Sequence, residues 1–143
     1  MRALRAFTIV VLSLGLLAAA CGGGGSESPA QAKDKIKAAY AAFFNPKGSL
    51  TQKTGLIENG SKIVPCLQTQ STNPQLSQLG GASVVSIVLK GDSSATVQFN
   101  LLGTTGTTLT PAPFAGAAVK QNGTWKVAQA TFNSLLSLGG THC

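Results

Sequence analysis

The chain has 143 residues, 43% of them apolar, which is room for one domain with a sizeable core. Eleven basic residues stand against four acids, a formal charge of +7 at pH 7, yet both arginines fall in the first five positions and the nine lysines are scattered. With only 6% aromatic residues, the chain lacks the clustered basic face and stacking platform of a nucleic-acid binder, and its excess charge suits loose contact with anionic headgroups or wall polymers.

Arg2 and Arg5 precede an apolar run, Phe7 to Leu17, too short to cross a bilayer, and Ala18, Ala19 and Ala20 lead into Cys21. This is the layout of an export signal. Its last stretch, Val10 to Cys21, resembles the bacterial lipobox, in which cleavage leaves the cysteine first and its thiol is diacylated. Ala18 stands where leucine is commonest, and plain secretory cleavage near Ala20 is the alternative. Residues 1–20 are expected to be a lipoprotein signal peptide, Cys21 the lipid attachment site, 21–28 a lipidated, Gly-rich tether, and 29–143 a single α+β domain. The expected location is the outer face of the cell membrane. A thioether at Cys21 leaves Cys66 and Cys143 as the pair for one disulfide in an oxidising compartment; two free thiols are the alternative.

Ser28, Pro29 and Gln31 read as N-cap, first helical residue and capping-box partner, and Ile36, Ala39, Tyr40, Phe43 and Phe44 follow at helical spacing. Asn45-Pro46-Lys47-Gly48 ends that helix. Ser49 with Gln52 opens a second, running to Leu56 or Ile57 and stopped by Glu58-Asn59-Gly60. Ser61 is expected to cap a third, from Lys62 to Gln70, with Pro65 in its first turn. Ser71 to Gly81 is polar and rich in breakers, with Leu76 and Leu79 as its packing residues.

From Ala82 the period changes to two. A three-residue connection, Gly91 to Ser93, pairs Leu89 with Ala95, Ile87 with Val97 and Val85 with Phe99. A second hairpin turns at Asn122-Gly123 in type I′ geometry, setting Lys120 opposite Trp125 and Ala118 opposite Val127. Lys120 over the indole is either a cation–π pair or a solvated edge. Phe132, Leu135 and Leu136 mark a last helix, Thr131 to Leu138, ended by Gly139-Gly140. The expected fold is α+β: N-terminal helices packed on one face of a curved, cone-like, four-stranded antiparallel sheet, with a short C-terminal helix.

The runs FFNPKGSLTQKTGLIENG, SATVQFNLL and VKQNGTWKVAQATFNSLLSLGG are similar to the secreted low-molecular-weight antigen family of actinobacteria, over about Pro29 to Gly140. Its most specific pieces are the turn through Leu56 to Gly60 and the hairpin Asn122 to Lys126. The resemblance implies a cone-like fold related to the nuclear-transport-factor-2 and cystatin-like superfolds, exported and often lipidated, with no active-site residues to carry over. Many relatives place a cysteine after the phenylalanine matching Phe132. Asn133 stands there in this chain, so the resemblance turns Cys143 toward Cys66.

Catalytic residues, a metal site and cofactors are not expected, because Glu27 reads as tether, Asp34 as exposed helix face, Asp92 as hairpin turn, and His142 beside Cys143 makes a poor metal site. The reading is a non-catalytic, membrane-anchored extracytoplasmic lipoprotein, an interaction or structural module of the actinobacterial envelope. Its expected partners are the membrane, through the acyl chains, and an envelope protein. The alternative is a binding protein for a small apolar molecule held between helix and sheet by Tyr40, Phe43, Phe44, Phe99 and Phe114.

Overall fold

The computed structural model describes residues 26–74 and 76–143; the stretch expected to be an export signal, Cys21 and the glycine run lie outside them. The first element is α1, Pro29–Phe43, whose N-cap Ser28 accepts from the Gln31 amide while Gln31 returns the bond, as the capping box requires. Ile36 and Tyr40 are fully buried, and Ala39, Phe43 and Phe44 nearly so, which identifies the apolar stripe as the core face. After the Asn45 turn comes α2, Leu50–Leu56, opened by the second capping box of Ser49 and Gln52.

The third helix begins later than the sequence suggests. Ser61 does not cap it: Gly60–Lys62 forms a 3₁₀ turn, and α3 runs Val64–Ser71 with Pro65 in its first turn and Ile63 at the cap. A 3₁₀ turn at Leu76–Gln78 then leads into β1, Leu79–Lys90, three residues earlier than the alternation alone marks.

The sheet is an antiparallel meander in the order β1-β2-β3-β4, with β2 at Ser94–Gly103, β3 at Phe114–Gln121 and β4 at Thr124–Val127. Leu89 pairs with Ala95 and Ile87 with Val97, as the three-residue connection predicts. Val85 is a correction. A bulge between Val84 and Ser86 puts Val84 opposite Phe99 and turns Val85 outward, 53% exposed. The second hairpin pairs Lys120 with Trp125 and Ala118 with Val127, and Asn122 and Gly123 both take the positive φ, 53° and 76°, of a type I′ turn. The last helix, α4, spans Gln129–Leu138.

Helices therefore cover one face of the sheet. Val97, Phe99, Ala118 and Val127 are fully buried beneath α1, while Phe132 and Leu136 of α4 close the same core. Phe99 packs against Tyr40, Phe44 and Phe114 at ring-centre distances of 5.0, 5.4 and 5.9 Å. At β3 the backbone comes so close that a Cβ on Gly116 would stand 2.9 Å from both the Tyr40 hydroxyl and Phe99 and 2.7 Å from Thr131, so glycine is required there. Among the described residues, no helix is long and apolar enough to cross a membrane.

Candidate functional site

An open cleft of about 880 Å³ lies where the C-terminal end of α1 meets α2, α3, α4 and the sheet. Its size falls in the range of roughly 300–1,000 Å³ usual for small-molecule sites. Phe43, Phe44, Phe114 and Phe132 floor it, and Leu101 and Leu135 extend the apolar wall. Around the rim stand Leu76, Leu109 and Leu138, exposed by 38%, 47% and 72%. These are three of the five large apolar side chains left exposed among the described residues; Val85 and Val88 on β1 are the others. Leucines in water around a concave apolar floor mark a surface shaped to be covered.

The five aromatic residues expected to line a cavity divide. Phe43, Phe44 and Phe114 do border the cleft. Tyr40 and Phe99 lie behind them, fully buried, and support the floor without facing it. Burial pushes the Tyr40 hydroxyl up to about 12, and its proton goes to the Ala117 carbonyl at 2.8 Å, so its role is structural. Three contributions are not visible in the pattern: Leu109 from the loop between β2 and β3, Leu138 at the end of α4, and Lys53, which lines the α2 side. Isolated leucines beside breakers carry no periodicity, and only their exposure in the folded chain reveals them.

Three of the four acids make contacts within the fold, and Asp92 lies exposed in the turn between β1 and β2. Glu27 is the first residue of the described chain to make long-range contacts: one carboxylate oxygen accepts from the Trp125 indole at 2.7 Å and from Lys120 at 2.9 Å, and the other pairs with Lys35 at 2.6 Å. Bonds from Lys35, Trp125 and Lys120 hold the carboxyl down to about 2. The expectation that Glu27 belongs to a tether is thereby corrected. Lys120 also sits 5.8 Å from the centre of the Trp125 ring, the cation–π option of the hairpin.

Glu58 has a second such role. Ile57 bridges in parallel to Val127, the Glu58 amide donates to the Val127 carbonyl at 2.8 Å, and the carboxylate accepts from the Gln129 amide at 3.1 Å. That carboxylate caps the start of α4, whose own cap residue, Ala128, offers no side-chain acceptor. Asn59, at φ 52°, exchanges bonds with Gln121 on β3. The turn and the hairpin that carry the family resemblance are therefore the two halves of one structural joint. Asp34 pairs with Lys37 on the exposed side of α1 at 3.8 Å. Among the described residues no group of three His, Cys, Asp or Glu could hold a metal ion.

Cys66 on α3 and the terminal Cys143 form a disulfide, their Cα atoms 5.5 Å apart across 77 residues. Asn133 borders the same small pocket as both sulfurs, so the position where the resemblance places a cysteine adjoins the bridge. Cys21 lies outside the described residues.

A family model described as the C-terminal domain of low molecular weight antigen MTB12 matches residues 29–143. No curated protein matches the chain. A solved structure from Campylobacter jejuni that bears the name NTF2-like transpeptidase is similar at a TM-score of 0.43 and 10% identity, covering 67% of this chain and 95% of that one. A likeness that distant carries no argument about this chain.

Proposed function

Since the chain belongs to the low molecular weight antigen MTB12 family, we propose that it is a non-catalytic binding module of the cell envelope, one that takes an apolar ligand into the cleft between α1, α4 and the sheet. The observation that carries this reading is the cleft itself: a phenylalanine floor within about 880 Å³, rimmed by three leucines left in water. Covering those leucines removes apolar surface from water, at about 25 cal/mol for each Å². That is a driving force for a ligand.

The placement of the acids supports the non-catalytic half of the proposal. General acid–base chemistry needs a tuned titratable group facing the bound molecule. Glu27 is engaged at the β3–β4 hairpin, Glu58 at the start of α4 and Asp34 on the outer side of α1. Anchoring through Cys21 belongs to the same proposal and rests on the lipobox-like run alone.

The test is the binding of a solvatochromic apolar dye to the purified protein. Uptake with a blue shift, weakened about tenfold by Leu109→Asp at the exposed rim while the melting temperature holds, supports the cleft as the site, because a charge there must be desolvated. A protein that leaves the dye in water, or a Leu109→Asp variant that binds it as well as the unaltered chain does, removes the reading.

A further inference from the structure

We propose that the cleft is a site for a long-chain carboxylate, its alkyl chain laid along the phenylalanine floor and its headgroup on the Lys53 ammonium. This rests on the cleft reading above and narrows it from an apolar ligand to an anionic amphiphile.

Charge complementarity carries the step. Among the residues lining the cleft, Lys53 alone is charged, and the other polar positions, such as Gln68, Ser71, Ser77 and Thr110, are neutral. The Lys53 stem folds back over the turn that precedes α2, close enough that a Cβ on Gly48 would stand 3.4 Å from its Cε. Lys35 and Lys120 share Glu27, Lys37 pairs with Asp34, Glu58 caps α4, and among the described residues no carboxylate lies within ion-pair distance of Lys53. Burial pushes the Lys53 ammonium below its usual range with no anion to offset the cost. A carboxylate arriving at the mouth supplies that anion.

A structural role for Lys53 is weaker. It stands in the last turn of α2, where a cation suits the free carbonyls, but α2 has only seven residues and that preference is satisfied by a side chain reaching into water. Here the stem lines an apolar wall instead. One positive charge also matches a single negative charge better than a phosphate dianion. The rest of the lining, Phe43, Phe44, Phe114, Phe132, Leu101 and Leu135, gives an alkyl chain continuous apolar contact.

The experiment is displacement of the cleft-bound dye by laurate, methyl laurate and dodecyl phosphate, which carry alkyl chains of similar length and differ chiefly in the head. Laurate is expected to displace at a concentration about tenfold below that of the ester, the preference given by one charge-assisted contact. Lys53→Met, which keeps the packing of the stem, abolishes the preference, and Lys53→Arg keeps it. The preference also fades as pH rises through the titration of Lys53. Equal displacement by acid and ester, a preference that survives in Lys53→Met, or tighter displacement by dodecyl phosphate overturns the carboxylate assignment and leaves the cleft reading standing. A dye that never enters the cleft overturns both. The acid–ester comparison on the unaltered protein decides the matter whether or not a variant folds.

Discussion

The indole of Trp125 donates its N–H to the carboxylate of Glu27 at 2.7 Å, joining residues 98 positions apart. Lys35 from α1 and Lys120 from β3 complete the arrangement, so the segment just ahead of α1 is fixed to the β3–β4 hairpin. Trp125 is the sole tryptophan of the chain, which makes its fluorescence a direct reporter of this contact.

Glu27 gives a pH dependence with a definite sign. Its ordinary value is 4.5 and its partners hold it down to about 2 in the folded chain. The stability it contributes is therefore complete above 4.5 and is lost as pH falls toward 2, because only the unfolded chain takes up the proton in that window. The melting temperature is expected to fall across this window less steeply in Glu27→Gln than in the unaltered protein. The Trp125 emission is expected to titrate in the unaltered protein and to stay flat in the variant. Parallel melting curves for the two proteins would show that Glu27 is free in solution.

Glu58 is expected to matter through α4. Replacing it with alanine removes the only side-chain acceptor the structure places at the Gln129 amide, at a cost of about 1 kcal/mol, the usual value of a cap. Urea denaturation measures the loss, and hydrogen exchange should locate it in the first turn of α4. A loss of protection confined to α2 would contradict the assignment.

The Cys66–Cys143 bridge closes 77 residues of chain. In the chain-entropy account, removing such a loop closure costs about 4.5 kcal/mol, less where reduced chains keep residual structure. The double substitution Cys66→Ser, Cys143→Ser is expected to lower the urea midpoint by a corresponding amount. Peptide mapping without reductant should recover the two cysteines in one linked fragment. Alkylation of both sulfurs under those conditions would contradict the pairing.

Cys21 is expected to carry the acyl chains. Palmitate labelling of the protein in an actinobacterial host should be lost on Cys21→Ala, and the membrane-bound fraction should fall with it. An intact mass showing an unmodified Cys21 thiol would leave secretion in place of anchoring.

Much of the local chemistry was readable from the sequence, although Ser61, expected to cap the third helix, lies in a 3₁₀ turn instead. Both capping boxes, at Ser28 and Ser49, need only residues three positions apart, and the Asn122-Gly123 turn carries its geometry in two residues. The other failures depend on distance. The bulge at Val84 to Ser86 leaves the alternation of side chains intact on either side, so no pattern announces it. A lone acid before a helix looks like linker, and nothing near Glu27 in sequence points to Trp125. Part of the cleft was visible as the stripe of Phe43 and Phe44, with Phe114 expected beside them. The rim was not, because Leu109 and Leu138 acquire meaning only when a loop and a helix end meet over the same floor.

The first helix also acts as a spacer. Its 15 residues, at a rise of 1.5 Å each, set the Glu27 clamp about 22 Å from Phe43 at the cleft. Glu27 ties the segment ahead of that helix to the β3–β4 hairpin through Trp125 and Lys120 and to α1 through Lys35, so a load applied ahead of Glu27 is shared between hairpin and helix at the end away from the phenylalanines. For a chain anchored through Cys21 as proposed, the contacts of Glu27 would stand between the mooring and the cleft.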